Sequence, residues 1–124
     1  MEDRKHNRIV SIGSEGVISF YDWIKKIPSP NLAHDQILAR CLLGQYKALV
    51  FIEEKPVGIM IFESNGDTVF IVGLYLPGKY KKFYEDGIAM LKGVGFKKMR
   101  CVSMEHRETL FNLPAKYTVY EGNI

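Results

Sequence analysis

Cysteine, tryptophan and long apolar runs are all scarce in this chain. Of its 124 residues only Cys41 and Cys101 are cysteines, and Trp23 is the lone tryptophan. Each cysteine sits among apolar neighbours, one in a helical stretch and one in a strand, which reads as two buried, reduced thiols made in a reducing compartment. Neither cysteine has metal-ligand spacing with His6, His34 or His106, and the three histidines have none with one another. No metal is expected. No apolar run approaches the length of a membrane span, and no signal peptide opens the chain, so a cytoplasmic location is expected. Charge of one sign is lacking too. Seventeen basic against 14 acidic residues leave a net +3, too mild to predict nucleic-acid binding by itself. There is no internal repeat and no low-complexity tract.

What is present suits one domain over 1–124. Hydrophobic residues make up 47% of the chain, enough for a real core. The start, residues 1–8, is charged throughout and reads as a flexible extension. Ile9–Ile12 is short and alternating, a first strand. Ser14 is placed to cap a helix whose stripe is Val17, Phe20, Tyr21, Ile24 and Ile27, with Trp23 just off it. Pro28-Ser29-Pro30 ends that helix. A second runs from about Asn31 to Gly44, with Ile37, Leu38, Cys41 and Leu42 on its apolar face and Gly44 as terminator.

Strands follow at Ala48–Ile52 and Val57–Phe62. Asn65-Gly66 is the strongest hairpin signal in the chain, because both residues tolerate positive φ. Thr68–Leu76 is nearly all apolar, which places it mid-sheet, and Gly73 inside it predicts a bulge or a close backbone approach. Tyr80, Phe83, Tyr84, Gly87, Ile88 and Leu91 then recur at helical steps, opposite Lys81, Lys82, Glu85, Asp86 and Lys92. Lys98–Met104 reads as a strand, Arg107–Asn112 as at most a short helix, and Lys116–Tyr120 as a final strand.

This order resembles the GCN5-related N-acetyltransferase superfamily over nearly the whole chain. Lys55-Pro56-Val57-Gly58 is similar to that family's hairpin between its second and third strands. Leu91 to Val102, with Gly93, Gly95 and Phe96, is similar to the end of its long helix and the strand that follows. The resemblance implies an α/β (α+β) fold: a mixed, mostly antiparallel sheet with helices on both faces. It implies acetyl-CoA as cofactor if the chain is active. Leu76, Gly78, Lys79, Lys81 and Lys82 would lie at the cofactor's phosphates, at a helix N-terminus. Glu105 and His106 close the fifth strand and would be the catalytic candidates, His106 having the right pKa for a general base.

The departures from the family are specific. Spaced glycines are expected after the fourth strand. Here Pro77-Gly78-Lys79-Tyr80-Lys81-Lys82-Phe83 offers one glycine, and a Tyr or Phe side chain where glycine is needed would block close phosphate approach. The fourth strand carries no carboxylate, and Tyr75 is its only titratable side chain. In Glu105-His106-Arg107-Glu108-Thr109-Leu110-Phe111, His106 replaces the family's Asn, Thr109 its Ala and Phe111 its common tyrosine. Gly78, Lys79 and Lys81-Lys82-Phe83 resemble the same turn in degenerate acetyltransferase-like proteins of tailed phages.

Two functions compete. The missing glycines, base and tyrosine favour a degenerate member that requires no cofactor and acts by binding. It would be a phage virion component or a host-factor binder, located in the virion or host cytoplasm, with a protein partner or its own copies. The alternative is an active acyl-CoA-dependent N-acetyltransferase. A nucleic-acid surface built on Lys92, Lys97, Lys98 and Arg100, with Tyr80 and Tyr84 stacking, trails both. Trp23 is a candidate partner contact.

Overall fold

The computed structural model describes residues 7–27, 33–102, 115–116 and 119–123. Seven strands form one sheet: β1 (Asn7–Ile12), β2 (Lys47–Glu53), β3 (Lys55–Asn65), β4 (Thr68–Tyr75), β5 (Lys98–Val102), β6 (Ala115–Lys116) and β7 (Val119–Asn123). Their spatial order is β1-β2-β3-β4-β5-β7-β6. Every adjacent pair is antiparallel except β4 with β5. A parallel pair needs a crossover connection, and helix α3 (Lys81–Gly93) supplies it.

The strands alternate, so each feeds two cores. Leu49 and Phe51 of β2 and Met60 and Phe62 of β3 join Phe83, Tyr84 and Leu91 of α3 on one face. Ala48, Val50, Ile59 and Ile61 face the other way. There they meet Val17 and Ile24 of the first helical segment, then Ile27, and Ile37 and Cys41 of α2 (His34–Leu42). Helices therefore cover both faces, as the resemblance implied. Fully burying side chains of this size contributes roughly 1.5–3 kcal/mol each.

The first helix departs from the expected form. Ser14–Phe20 is a 3₁₀ helix, followed by a single α-turn, α1 (Tyr21–Ile24). Gly16 and the β-branched and aromatic residues Val17, Ile18, Phe20 and Tyr21 are all poor helix formers. The cap position is Gly13, so Ser14 is inside the helix and does not cap it. Helix α2 is shorter than expected. Ala33 precedes it and has no capping side chain, but its N–H donates to Gln36 Oε1 at 3.1 Å, half of a capping box. Its far end matches the sequence. Gly44 has φ 82°, and the N–H groups of Gly44 and Gln45 donate to the carbonyls of Cys41 and Arg40, a Schellman closure. Leu42, expected in the apolar stripe, is exposed.

Strand β1 starts at Asn7, so Asn7 and Arg8 pair with Glu53 and Ile52 and are not part of an extension. The second hairpin turns at Gly66 and Asp67, one residue later than Asn65-Gly66, and only Gly66 takes a positive φ, 63°. Two short strands, β6 and β7, stand where one final strand was expected. The short helix expected at Arg107–Asn112 lies outside the described residues. No helix among the described residues is long and apolar enough to cross a membrane.

Candidate functional site

Among the described residues, the sheet opens along its middle. Strands β4 and β5 pair from Thr68↔Lys98 to Ile71↔Cys101, and there the register ends. Strand β4 continues through Val72, Gly73, Leu74 and Tyr75 with no partner in β5. On its other edge those residues still pair with β3, except Val72. Ile61 pairs with Gly73 and Phe62 with Ile71, so Val72 is the extra residue of a β-bulge. The bulge expected from Gly73 is therefore present. So is the close approach, since a Cβ at Gly73 would lie 2.6 Å from Cγ2 of Ile27.

The open edge leads straight to a helix N-terminus. Leu76 is buried and packs where a Cβ on Gly58 would lie only 2.5 Å from its Cδ1. Its side chain is thus part of the sheet's packing. Pro77 precedes a 3₁₀ turn, Gly78–Tyr80, that runs into α3, and neither start has a side-chain cap. A Cβ on Gly78 would meet nothing within 4 Å. Backbone N–H groups at such a start carry about half a positive charge.

The lysines gather here against the usual rule. No acidic residue stands in the first turn of α3. Lys79 Nζ lies 5.2 Å from the ring centroid of Tyr80. Lys81 reaches Glu85 at 3.9 Å and Lys82 reaches Asp86 at 3.1 Å, both one turn further on. A Lys preceding its acid at i,i+4 is the less favourable order. Cations at the positive pole of a helix are also unfavourable unless an anion is bound there.

The two aromatics of this turn do not stand in its mouth. Phe83 is buried, its ring 5.2 Å from that of Phe51. Tyr80 is half-buried against the same core and its hydroxyl donates to Glu53 Oε1 at 3.5 Å. The steric objection drawn from the sequence therefore applies to neither ring. Tyr84 is buried and its hydroxyl donates to Met99 Sδ at 3.6 Å, so neither tyrosine is placed as a free stacking surface.

Of the expected site residues, Gly78, Lys79, Lys81 and Lys82 come together at the end of the open edge. His106 and Glu105 lie outside the described residues. No cluster of metal ligands occurs among the described residues. His34 faces the carbonyl of Ile27 with Nε2 at 2.8 Å. Cys41 is buried and unpaired, and burial pushes its thiol up to about 11.

One grouping escaped the sequence reading. Trp23 lies 5.3 Å from the ring of Phe20 and 5.4 Å from that of Tyr75, at the end of the open edge. Lys26 sits 5.5 Å over the same Tyr75 ring. The available signal was spacing: Trp23 precedes the buried Ile27 by one helical turn.

No protein-family model matches the chain, and no curated protein does. Solved structures do. Tetrahymena GCN5 superimposes with a TM-score of 0.70 at 12% identity, covering 94% of this chain and 96% of that one. The fold is that of the GCN5-related N-acetyltransferases. An acetyltransferase of that family from Brucella melitensis, solved with acetyl-CoA, gives 0.69 at 13% identity, covering 95% and 88%. The IAA acetyltransferase of Bacillus cereus gives 0.66 at 16%, covering 86% and 73%.

Proposed function

We propose that this chain binds an acyl-CoA thioester along the open edge of β4 and passes its acyl group to an amine. The observation that carries the reading is the continuity between that edge and an uncapped helix start. The thioester arm would lie beside Val72–Tyr75, past the last pair of β4 with β5. The pyrophosphate would sit at Gly78, between the N–H groups of the turn and the ammonium of Lys79. A bound dianion there relieves the crowding of cations at the positive helix pole. Holding both reactants along one edge supplies much of the acceleration that aminolysis of a thioester needs. The cofactor would supply the activated acyl group, and the chain's part is to position it.

A second reading is favoured by one observation. Tyr75 is the only titratable residue of β4, so that strand itself offers no carboxylate or imidazole to take the amine's proton. In that reading the chain binds a partner, or the cofactor alone, without transfer.

Calorimetric titration with acetyl-CoA tests the first reading. Because a side chain on Gly78 projects into open space, Gly78→Val should leave the melting temperature unchanged. It should weaken acetyl-CoA binding by about tenfold or more, on the order of 1.4 kcal/mol. An absence of binding to the unaltered chain contradicts the reading. Binding without thioester cleavage, across a panel of amines, supports the second.

A further inference from the structure

A groove of about 310 Å³ runs between the first helical segment and the start of β3, lined by Ser19, Phe20, Asp22, Trp23, Lys55 and Pro56. Trp23, which lines it, also lies against Tyr75 at the end of β4. The groove's volume is at the lower end of the roughly 300–1,000 Å³ typical of small-molecule sites. Three of its residues, Phe20, Trp23 and Pro56, present flat apolar surfaces. Phe20 and Trp23 are only half-buried.

The charges at the rim differ in how far they are already satisfied. Asp22 pairs with Lys25 at 3.3 Å. Lys25 and Lys26 each lie over another ring, Tyr21 at 5.2 Å and Tyr75 at 5.5 Å. Nearby Glu53 accepts from the Tyr80 hydroxyl, and neither Glu53 nor Glu54 lines the groove. Lys55 has no ion-pair partner among the described residues. The groove thus combines an aromatic floor with one cation, Lys55, that stands opposite Glu53 in the strand register but forms no ion pair among the described residues.

We propose that this groove binds a small aromatic carboxylate, its ring against Phe20, Trp23 and Pro56 and its carboxylate at the Lys55 ammonium. The flat floor selects an aryl group over a branched one. The unpaired ammonium selects an acid over an amine, because the only carboxylate lining the groove is already paired. The proposal needs no part of the acyl-CoA reading and stands or falls separately from it.

Trp23 is the chain's only tryptophan, so its emission reports on this groove alone. Phenylacetate is the probe and benzylamine its charge-reversed counterpart. Phenylacetate should change Trp23 emission saturably and raise the melting temperature. Benzylamine should do neither at the same concentrations. Lys55 is exposed, so Lys55→Gln should fold normally and bind phenylacetate about tenfold more weakly. The proposal is overturned by a wild-type chain that shows no saturable change with phenylacetate. It is equally overturned by benzylamine binding as well as the acid, or by unchanged affinity in Lys55→Gln.

Discussion

A Cβ built on Gly87 would lie 3.1 Å from Cε1 of Phe51 and 3.3 Å from its Cζ. Helix α3 therefore rests on the Phe51 ring with the helix backbone itself, and the same ring meets Phe83 edge-on. This contact fixes the height of α3 above the sheet, and with it the position of the Gly78 turn at the end of β4.

Enlarging Gly87 should show this directly. For Gly87→Ala, a helix-propensity gain of about 1 kcal/mol opposes a contact tight by a few tenths of an ångström, so stability should change little. Gly87→Leu overpacks the same site and should cost roughly 1–3 kcal/mol. Urea unfolding measures both. A leucine variant as stable as the parent would mean that α3 does not dock through this face.

Gly73, next to the bulge on β4, makes a similar close contact. A methyl on Gly73 would lie 2.6 Å from Cγ2 and 3.0 Å from Cδ1 of Ile27. Gly73→Ala should cost roughly 1–3 kcal/mol. In combination with Ile27→Ala the loss should be smaller than the sum of the two, with a coupling of about 1 kcal/mol. Strict additivity in that cycle would contradict the contact.

Burial of Cys41 makes stability depend on alkaline pH. Its folded pKa is raised from 9.0 to about 11. Below pH 9 both states keep the proton and the contribution is fully present. Between about 9 and 11 only the unfolded chain releases it, so stability falls as pH rises through that window. The loss amounts to on the order of 2 kcal/mol. Cys41→Ala should be less stable near neutrality and should lose less over that window. Melting curves recorded at pH 8 and pH 11 for both chains check this, and equal losses would contradict it.

The order of elements was legible because periodicity and turn chemistry carry it. Gly44 ended its helix, Gly73 marked both the bulge and the close approach, and Phe83, Tyr84, Gly87 and Leu91 are the buried face of α3 as spacing required. Boundaries were less legible. The Ser14–Ile24 segment has the apolar period of an α-helix but largely adopts a 3₁₀ form, a choice made by packing that residue spacing does not encode. The candidate site was half legible. Gly78 and the lysines could be named from the resemblance. The inward turn of Tyr80 and Phe83 could not be told from composition, because an aromatic beside a phosphate loop reads the same whether it faces core or solvent. Helical spacing brings Phe20 and Trp23 together, but Tyr75 lies more than fifty positions from Trp23, and nothing local announces its part in the stack.

The open edge of β4 carries the account, and hydrogen exchange with and without CoA tests it most directly. A thioester arm lying beside that strand must cover amides that have no partner in β5 beyond Ile71. Adding CoA should slow exchange in peptides spanning 72–76 and 78–82, while peptides from β1 and α2 stay unchanged. Binding that protects a different segment, or leaves 72–82 exchanging as in the free chain, would contradict the account.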